Sequence, residues 1–139
     1  VERIEAAADA VWAFIRWDNL EAMAPGGFFT AVAYSERRPV AGATRAVTLG
    51  NGAVLIEWLE AEEAGTRTLR YRMLDTGGVP VADYRGEVVV SGCGAAACFV
   101  TFSSSCTPVG LSAADWRETW IGMQAANAAF IRGAVAKRA

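Results

Sequence analysis

The 139-residue sequence contains no histidine. It therefore lacks the usual general base, the commonest metal ligand, and both the Ser-His and Cys-His nucleophile pairs. GxGxxG, the phosphate-loop pattern, GxSxG and HExxH are absent too, so no cofactor or metal is expected. Any chemistry has to run on carboxylates, tyrosines or binding alone. Two charged residues stand out by phase, because successive side chains of a strand point to opposite faces. If Val47 and Leu49 of the run 44–49 face the core, Arg45 goes with them. If Leu55 and Leu59 of the run 53–62 do, Glu57 follows. A lone buried charge is costly, so each needs a partner, water or a polar group of a ligand. A structural ion pair, an exposed strand end and a ligand contact all stay open for Arg45 and Glu57. The opposite register would bury Trp58 and expose Glu57.

The same alternation sorts the later strands. Arg70 and Arg72 must reach water, which turns Leu69, Tyr71 and Met73 inward. Arg85 and Glu87 do the same for Tyr84, Gly86, Val88 and Val90. On 98–107 the inward set is Cys98, Val100, Phe102, Ser104 and Cys106, with Phe99, Thr101, Ser103 and Ser105 outside. Tyr84 is then either a phenol at a pocket wall or a core tyrosine bonded to backbone. If Glu57 points in, Val54, Ile56 and Trp58 share the outer face, which implies a homodimer contact or a covering loop.

The elements that must position these residues follow from periodicity and turn chemistry. A short strand at 1–5 precedes a helix over 8–16 carrying Val11, Trp12, Phe14 and Ile15, and a second short helix over 19–23 should stop before Pro25-Gly26-Gly27. Six more strand-like runs follow, at 28–35, 44–49, 53–62, 68–75, 81–91 and 98–107. The breaks between them include Gly50-Asn51-Gly52, Gly77-Gly78 and Gly92-Cys93-Gly94, short enough to require antiparallel neighbours. Beyond Gly110 a long helix begins, with Ser112 as N-cap, Asp115 and Glu118 near its start, and Arg132, Lys137 and Arg138 toward its end. Trp116, Trp120, Met123, Asn127, Phe130 and Ala134 fall on one face of it. Asn127 interrupts that apolar stripe, either to meet a ligand or to bond a loop carbonyl. Strands segregated from helices give an α+β layering in one domain, 1–139, and a curved sheet gripping one helix leaves a hollow between them.

Composition narrows the class. A net charge of −2, with no run of basic residues, excludes a nucleic-acid footprint. The uncharged stretch 88–114 is interrupted by Gly92, Gly94, Pro108 and Gly110, so it reads as two strands rather than a membrane span. Cys93, Cys98 and Cys106 are odd in number and form no CxxC, which favours a reducing compartment and a cytoplasmic location. The chain starts at Val1, so a trimmed leader would leave no trace.

A series of short motifs now becomes meaningful in its order: Ala8-Asp9-Ala10-Val11-Trp12, Asp18-Asn19-Leu20, Met23-Ala24-Pro25, Gly42-Ala43-Thr44-Arg45, Leu49-Gly50-Asn51-Gly52, Glu57-Trp58-Leu59, Leu69-Arg70-Tyr71, Asp83-Tyr84-Arg85-Gly86 and Cys106-Thr107-Pro108. This order resembles the polyketide cyclase/dehydrase group of the START-like SRPBCC superfamily over nearly the whole chain. The resemblance implies a helix-grip fold: a seven-stranded curved antiparallel sheet wrapped around a long C-terminal helix, enclosing a cavity for an apolar small molecule. It also implies that Arg45, Glu57 and Tyr84 occupy inward polar positions where ligand or ordered water is held. Tyr71, Phe102, Trp120 and Met123 would be core residues that double as cavity wall. Three functional readings follow. The first is a non-catalytic binder or carrier of a lipid-like, aromatic or polyketide-like molecule, oriented by Arg45, Glu57, Tyr84 and Asn127. The second is a cyclase/dehydratase-like enzyme with Glu57 as general base and Tyr84 or Arg45 stabilising an enolate. The third is a sensor gated by the loops Gly50-Asn51-Gly52 and Gly77-Gly78-Val79-Pro80.

Overall fold

The computed structural model describes residues 1–23 and 29–138. Strand β1 (Glu2–Ile4) is followed by helix α1 (Ala8–Ile15) and a 3-10 helical run, Trp17–Met23. Six strands come next: β2 (Phe29–Tyr34), β3 (Thr44–Leu49), β4 (Val54–Glu63), β5 (Thr68–Asp75), β6 (Val81–Gly92) and β7 (Cys98–Pro108). The chain ends in helix α2 (Ala113–Arg138). The strands form one antiparallel sheet in the order β1-β7-β6-β5-β4-β3-β2, so only β1 joins out of sequence. Every strand expected from sequence, and the first and last helices, are present within a residue or two. The expected Pro25-Gly26-Gly27 break and the Phe28 strand start lie outside the described residues.

The second short helix differs from expectation in kind and extent. It is 3-10, starts at Trp17 and is broken at Asn19 (φ −138°, ψ 23°). Tertiary bonds outweigh helical propensity here. The Trp17 N–H donates to Glu62 Oε1 at 2.7 Å, and its indole Nε1 donates to the Glu36 carbonyl at 3.1 Å. Asn19 Nδ2 donates to the Ala13 carbonyl at 2.6 Å. Trp17 is fully buried, so this corner of the chain is anchored from three sides.

Helix α2 begins as the sequence implies, the Asp115 N–H donating to Ser112 Oγ at 3.0 Å. Its 26 residues run about 39 Å, long enough to cross the sheet. The buried core is in two parts. One gathers α1, Trp17, the inner face of the sheet and Ile131 of α2. The other gathers Val81, Tyr84 and Trp116. Tyr71 packs against both.

One irregularity brings Val81 to the inner face beside Tyr84. Val81 and Tyr84 are both buried although three positions apart, which strict alternation forbids. A bulge between Ala82 and Arg85 absorbs the extra residue, with Asp83 left-handed at φ 53°. On the outer face, Ile56 and Trp58 are half-buried and Val54 is exposed. The Arg72 guanidinium lies 5.3 Å from the Trp58 ring centroid. Ser104, sorted inward by alternation, is instead exposed with Ser103 and Ser105. It pairs with Gly86, so no side chain on that strand covers it.

Candidate binding cavity

Between the inner face of the sheet and α2 lies a cavity of about 600 Å³. Ile15, Leu20 and Met23 close one side of it. Val47, Leu55, Leu69, Val88 and Phe102 form its floor, and Met123, Asn127 and Ile131 of α2 its roof. Gly50-Asn51 of the β3–β4 turn and Val79 of the β5–β6 turn also border it. The lining is mainly apolar, with few polar groups, as small-molecule sites usually are.

Those polar groups are built in from the strands. Arg45 and Glu57 stand directly opposite each other in the β3–β4 register. Both are buried, and Arg45 Nε donates to Glu57 Oε1 at 2.7 Å. Arg45 Nη1 donates to the Trp17 carbonyl at 2.8 Å, and the guanidinium lies 4.3 Å from the Trp17 ring centroid. Hydrogen bonding, charge pairing and cation–π stacking thus satisfy Arg45 together, which is what a buried charge requires. Of the three openings left by the sequence, the ion pair is realised, and it sits in the cavity wall.

Tyr71 and Tyr84 form the second polar pair, their ring centroids 6.0 Å apart. Tyr71 reaches this place across Gly86, its partner in the β5–β6 register. A Cβ on Gly86 would meet Tyr71 Cζ at 2.5 Å, so glycine is needed for the close approach. Burial is the main cause that pushes both phenols above their usual range, strongly for Tyr71. Both are therefore neutral hydroxyls at ordinary pH. The Trp120 indole donates to the Tyr84 oxygen at 3.1 Å.

Seven of the eight expected contact residues border the cavity: Arg45, Glu57, Tyr71, Tyr84, Phe102, Met123 and Asn127. Trp120 does not; it stands behind Tyr84 and holds its hydroxyl. Gln124 and Asn51 border the cavity without having been singled out as contacts. Asn127 Nδ2 donates to Gln124 Oε1 at 3.1 Å, so its partner is a neighbour on α2 rather than a loop carbonyl. Asn51 accepts from the Ala53 N–H at 2.9 Å, an ordinary turn bond that hides its second role in the sequence. Among the described residues no cluster of three His, Cys, Asp or Glu could hold a metal, and no helix is long and apolar enough to cross a membrane.

No family model matches the chain, and no curated protein matches it. Solved structures do. The chain is similar to the protein XoxI from Bacillus cereus, with a TM-score of 0.82 and 20% identity over 96% of this chain and 90% of that one. An uncharacterised protein from Bacillus thuringiensis superposes with a TM-score of 0.84 and 20% identity, covering 96% and 94%. Norcoclaurine synthase from Thalictrum flavum, in complex with dopamine and hydroxybenzaldehyde, gives 0.70 and 21%, covering 99% and 84%. The fold is the helix grip. At these identities the likeness establishes the architecture, α+β with a seven-stranded sheet around the long helix, and nothing finer.

Proposed function

We propose that the chain, 1–139, is one ligand-binding domain of the SRPBCC superfamily that takes an apolar small molecule into the cavity beneath α2. The observation that carries this reading is the cavity itself: about 600 Å³, apolar over most of its wall, with the Arg45–Glu57 pair and the Tyr71–Tyr84 pair as its main polar features. A folded core of this size has no packing reason to stay hollow, since interiors are normally filled to near crystal density. The cyclase/dehydrase group is the finer assignment suggested by motif order. An aromatic or lipid-like ligand fits the lining.

Catalysis is the second reading, favoured by the likeness to norcoclaurine synthase with dopamine and hydroxybenzaldehyde bound. Tyr84 would stabilise developing charge on a substrate oxygen, and Glu57 would act as base. The ion pair weakens the latter role, because the Glu57 carboxylate already accepts from Arg45.

Native mass spectrometry of the freshly purified protein, with identification of any molecule released on denaturation, tests the binding reading and reports whether the protein is a homodimer. A stoichiometric apolar passenger supports it. Failure of a broad panel of apolar compounds to bind or to raise the melting temperature contradicts it. An enzyme would lose turnover in Tyr84→Phe while still binding; a carrier would change only in affinity.

A further inference from the structure

The charges of the cavity wall specify more than its apolar character. Among the described residues, Arg45 and Glu57 are the only charged side chains bordering the cavity, and they cancel. Residues 24–28 read Ala-Pro-Gly-Gly-Phe and bring no ionisable side chain to any site. Arg45 is already committed to Glu57, to the Trp17 carbonyl and to the Trp17 ring. Nothing in this wall offers an anion or a cation an unspent counter-charge, and transferring an unpaired charge into such a hollow is strongly unfavourable. The Tyr84 hydroxyl lies within reach of the Tyr71 and Ser104 hydroxyls. The Trp120 indole can only donate, so the Tyr84 oxygen accepts there, and its own rotatable proton can be turned to a ligand's acceptor.

We propose that the cavity selects an uncharged ligand, an apolar body bearing a carbonyl or hydroxyl oxygen that accepts from Tyr84, and that Glu57 sets this selectivity by neutralising Arg45 against carboxylates. The inference rests on the cavity being the binding site. It makes Glu57 a specificity residue rather than a base. Replacing Glu57 with glutamine keeps an acceptor for Arg45 but leaves one net positive charge in the wall, which a carboxylate would then match.

The test uses matched probes that differ only at the polar end: 2-acetonaphthone, methyl 2-naphthoate and 2-naphthoate, and, for a longer body, 2-undecanone and decanoate. Titration calorimetry of the wild-type protein is expected to give the ketones and the ester at least about tenfold tighter binding than the acids. In Glu57→Gln the acid-to-ketone ratio should rise by about tenfold or more, and in Tyr84→Phe the ketones should weaken by about fivefold to tenfold while their parent hydrocarbons do not. Equal or tighter binding of the acids by the wild type overturns the inference while leaving the binding reading intact. An unchanged ratio in folded Glu57→Gln overturns it as well. If no probe of either size binds, the cavity-binding reading itself fails. The wild-type comparison decides the matter even if Glu57→Gln does not fold.

Discussion

A methyl group at Gly86 probes the cavity wall most sharply. Its Cβ would lie 2.5 Å from Tyr71 Cζ, 2.6 Å from Cε1 and 2.7 Å from the hydroxyl oxygen, whereas carbon atoms in good contact sit about 3.5 to 4.0 Å apart. The ring must withdraw by about 1 Å. The two backbones cannot separate, because Tyr71 and Gly86 are paired in the β5–β6 ladder. The free volume beside the ring is the cavity that Tyr71 borders. Overpacking of this kind costs about 1 to 3 kcal/mol. Alanine returns about 0.4 to 1 kcal/mol by restricting the unfolded chain, since Gly86 has no positive φ that would strain it. Gly86→Ala should therefore lose about 1 to 2 kcal/mol in urea denaturation followed by tryptophan fluorescence. In a Tyr71→Leu background the clashing ring atoms are gone, and the same change should be neutral or mildly stabilising. Equal costs in the two backgrounds would refute the placement of the ring over Gly86.

Other perturbations separate the supporting interactions. Glu57→Leu alone should cost about 3 to 5 kcal/mol by stranding the Arg45 charge, whereas Arg45→Met with Glu57→Leu should recover most of that loss; denaturation midpoints that simply add would contradict the pairing. Tyr34 is pushed up to about 12, first by burial and then by its bond to Glu21, and the phenols of Tyr71 and Tyr84 are raised as well. A phenol whose folded value exceeds the unfolded value of about 10 contributes stability that is fully present below that pH and is lost as the pH climbs through the folded value. Unfolding free energy should thus fall between about pH 10 and 12, and less steeply in Tyr34→Phe; a flat profile would show the phenols to be unperturbed. Asp83 holds φ 53° in the bulge that brings Val81 and Tyr84 to the same face. Asp83→Gly should be tolerated, and Asp83→Val should cost about 1 to 2 kcal/mol, read from thermal melts.

Alternation of side chains placed Tyr71 and Tyr84 on the inner face, because the outward arginines and glutamates of β5 and β6 leave those strands no freedom of phase; for Arg45 and Glu57 it left two registers open, since β3 and β4 have apolar residues in both phases. The α2 stripe located Met123 and Asn127 for a similar reason. Trp120 shares that stripe yet supports Tyr84 from behind, a distinction that depends on helix rotation and not on spacing. Gln124 escaped notice because a helix over a hollow exposes a wider arc to it than the row of apolar residues marks. The 3-10 run at Trp17 was illegible because Glu62, Glu36 and Arg45, its bonding partners, lie far away in sequence. Ser104 faces water although its phase is inward, since alternation gives direction and says nothing of what covers a residue.

The central claim is that a small molecule enters the space between the sheet and α2. Titration with the uncharged naphthyl ketone fluorophore Prodan, in the wild type and in Leu55→Trp, tests it most directly, because the indole would project into that space from the floor. The account predicts saturable, blue-shifted emission at one probe per chain in the wild type and loss of that signal in a Leu55→Trp protein that still melts cooperatively. Equal binding by both proteins would put the ligand elsewhere and contradict the account.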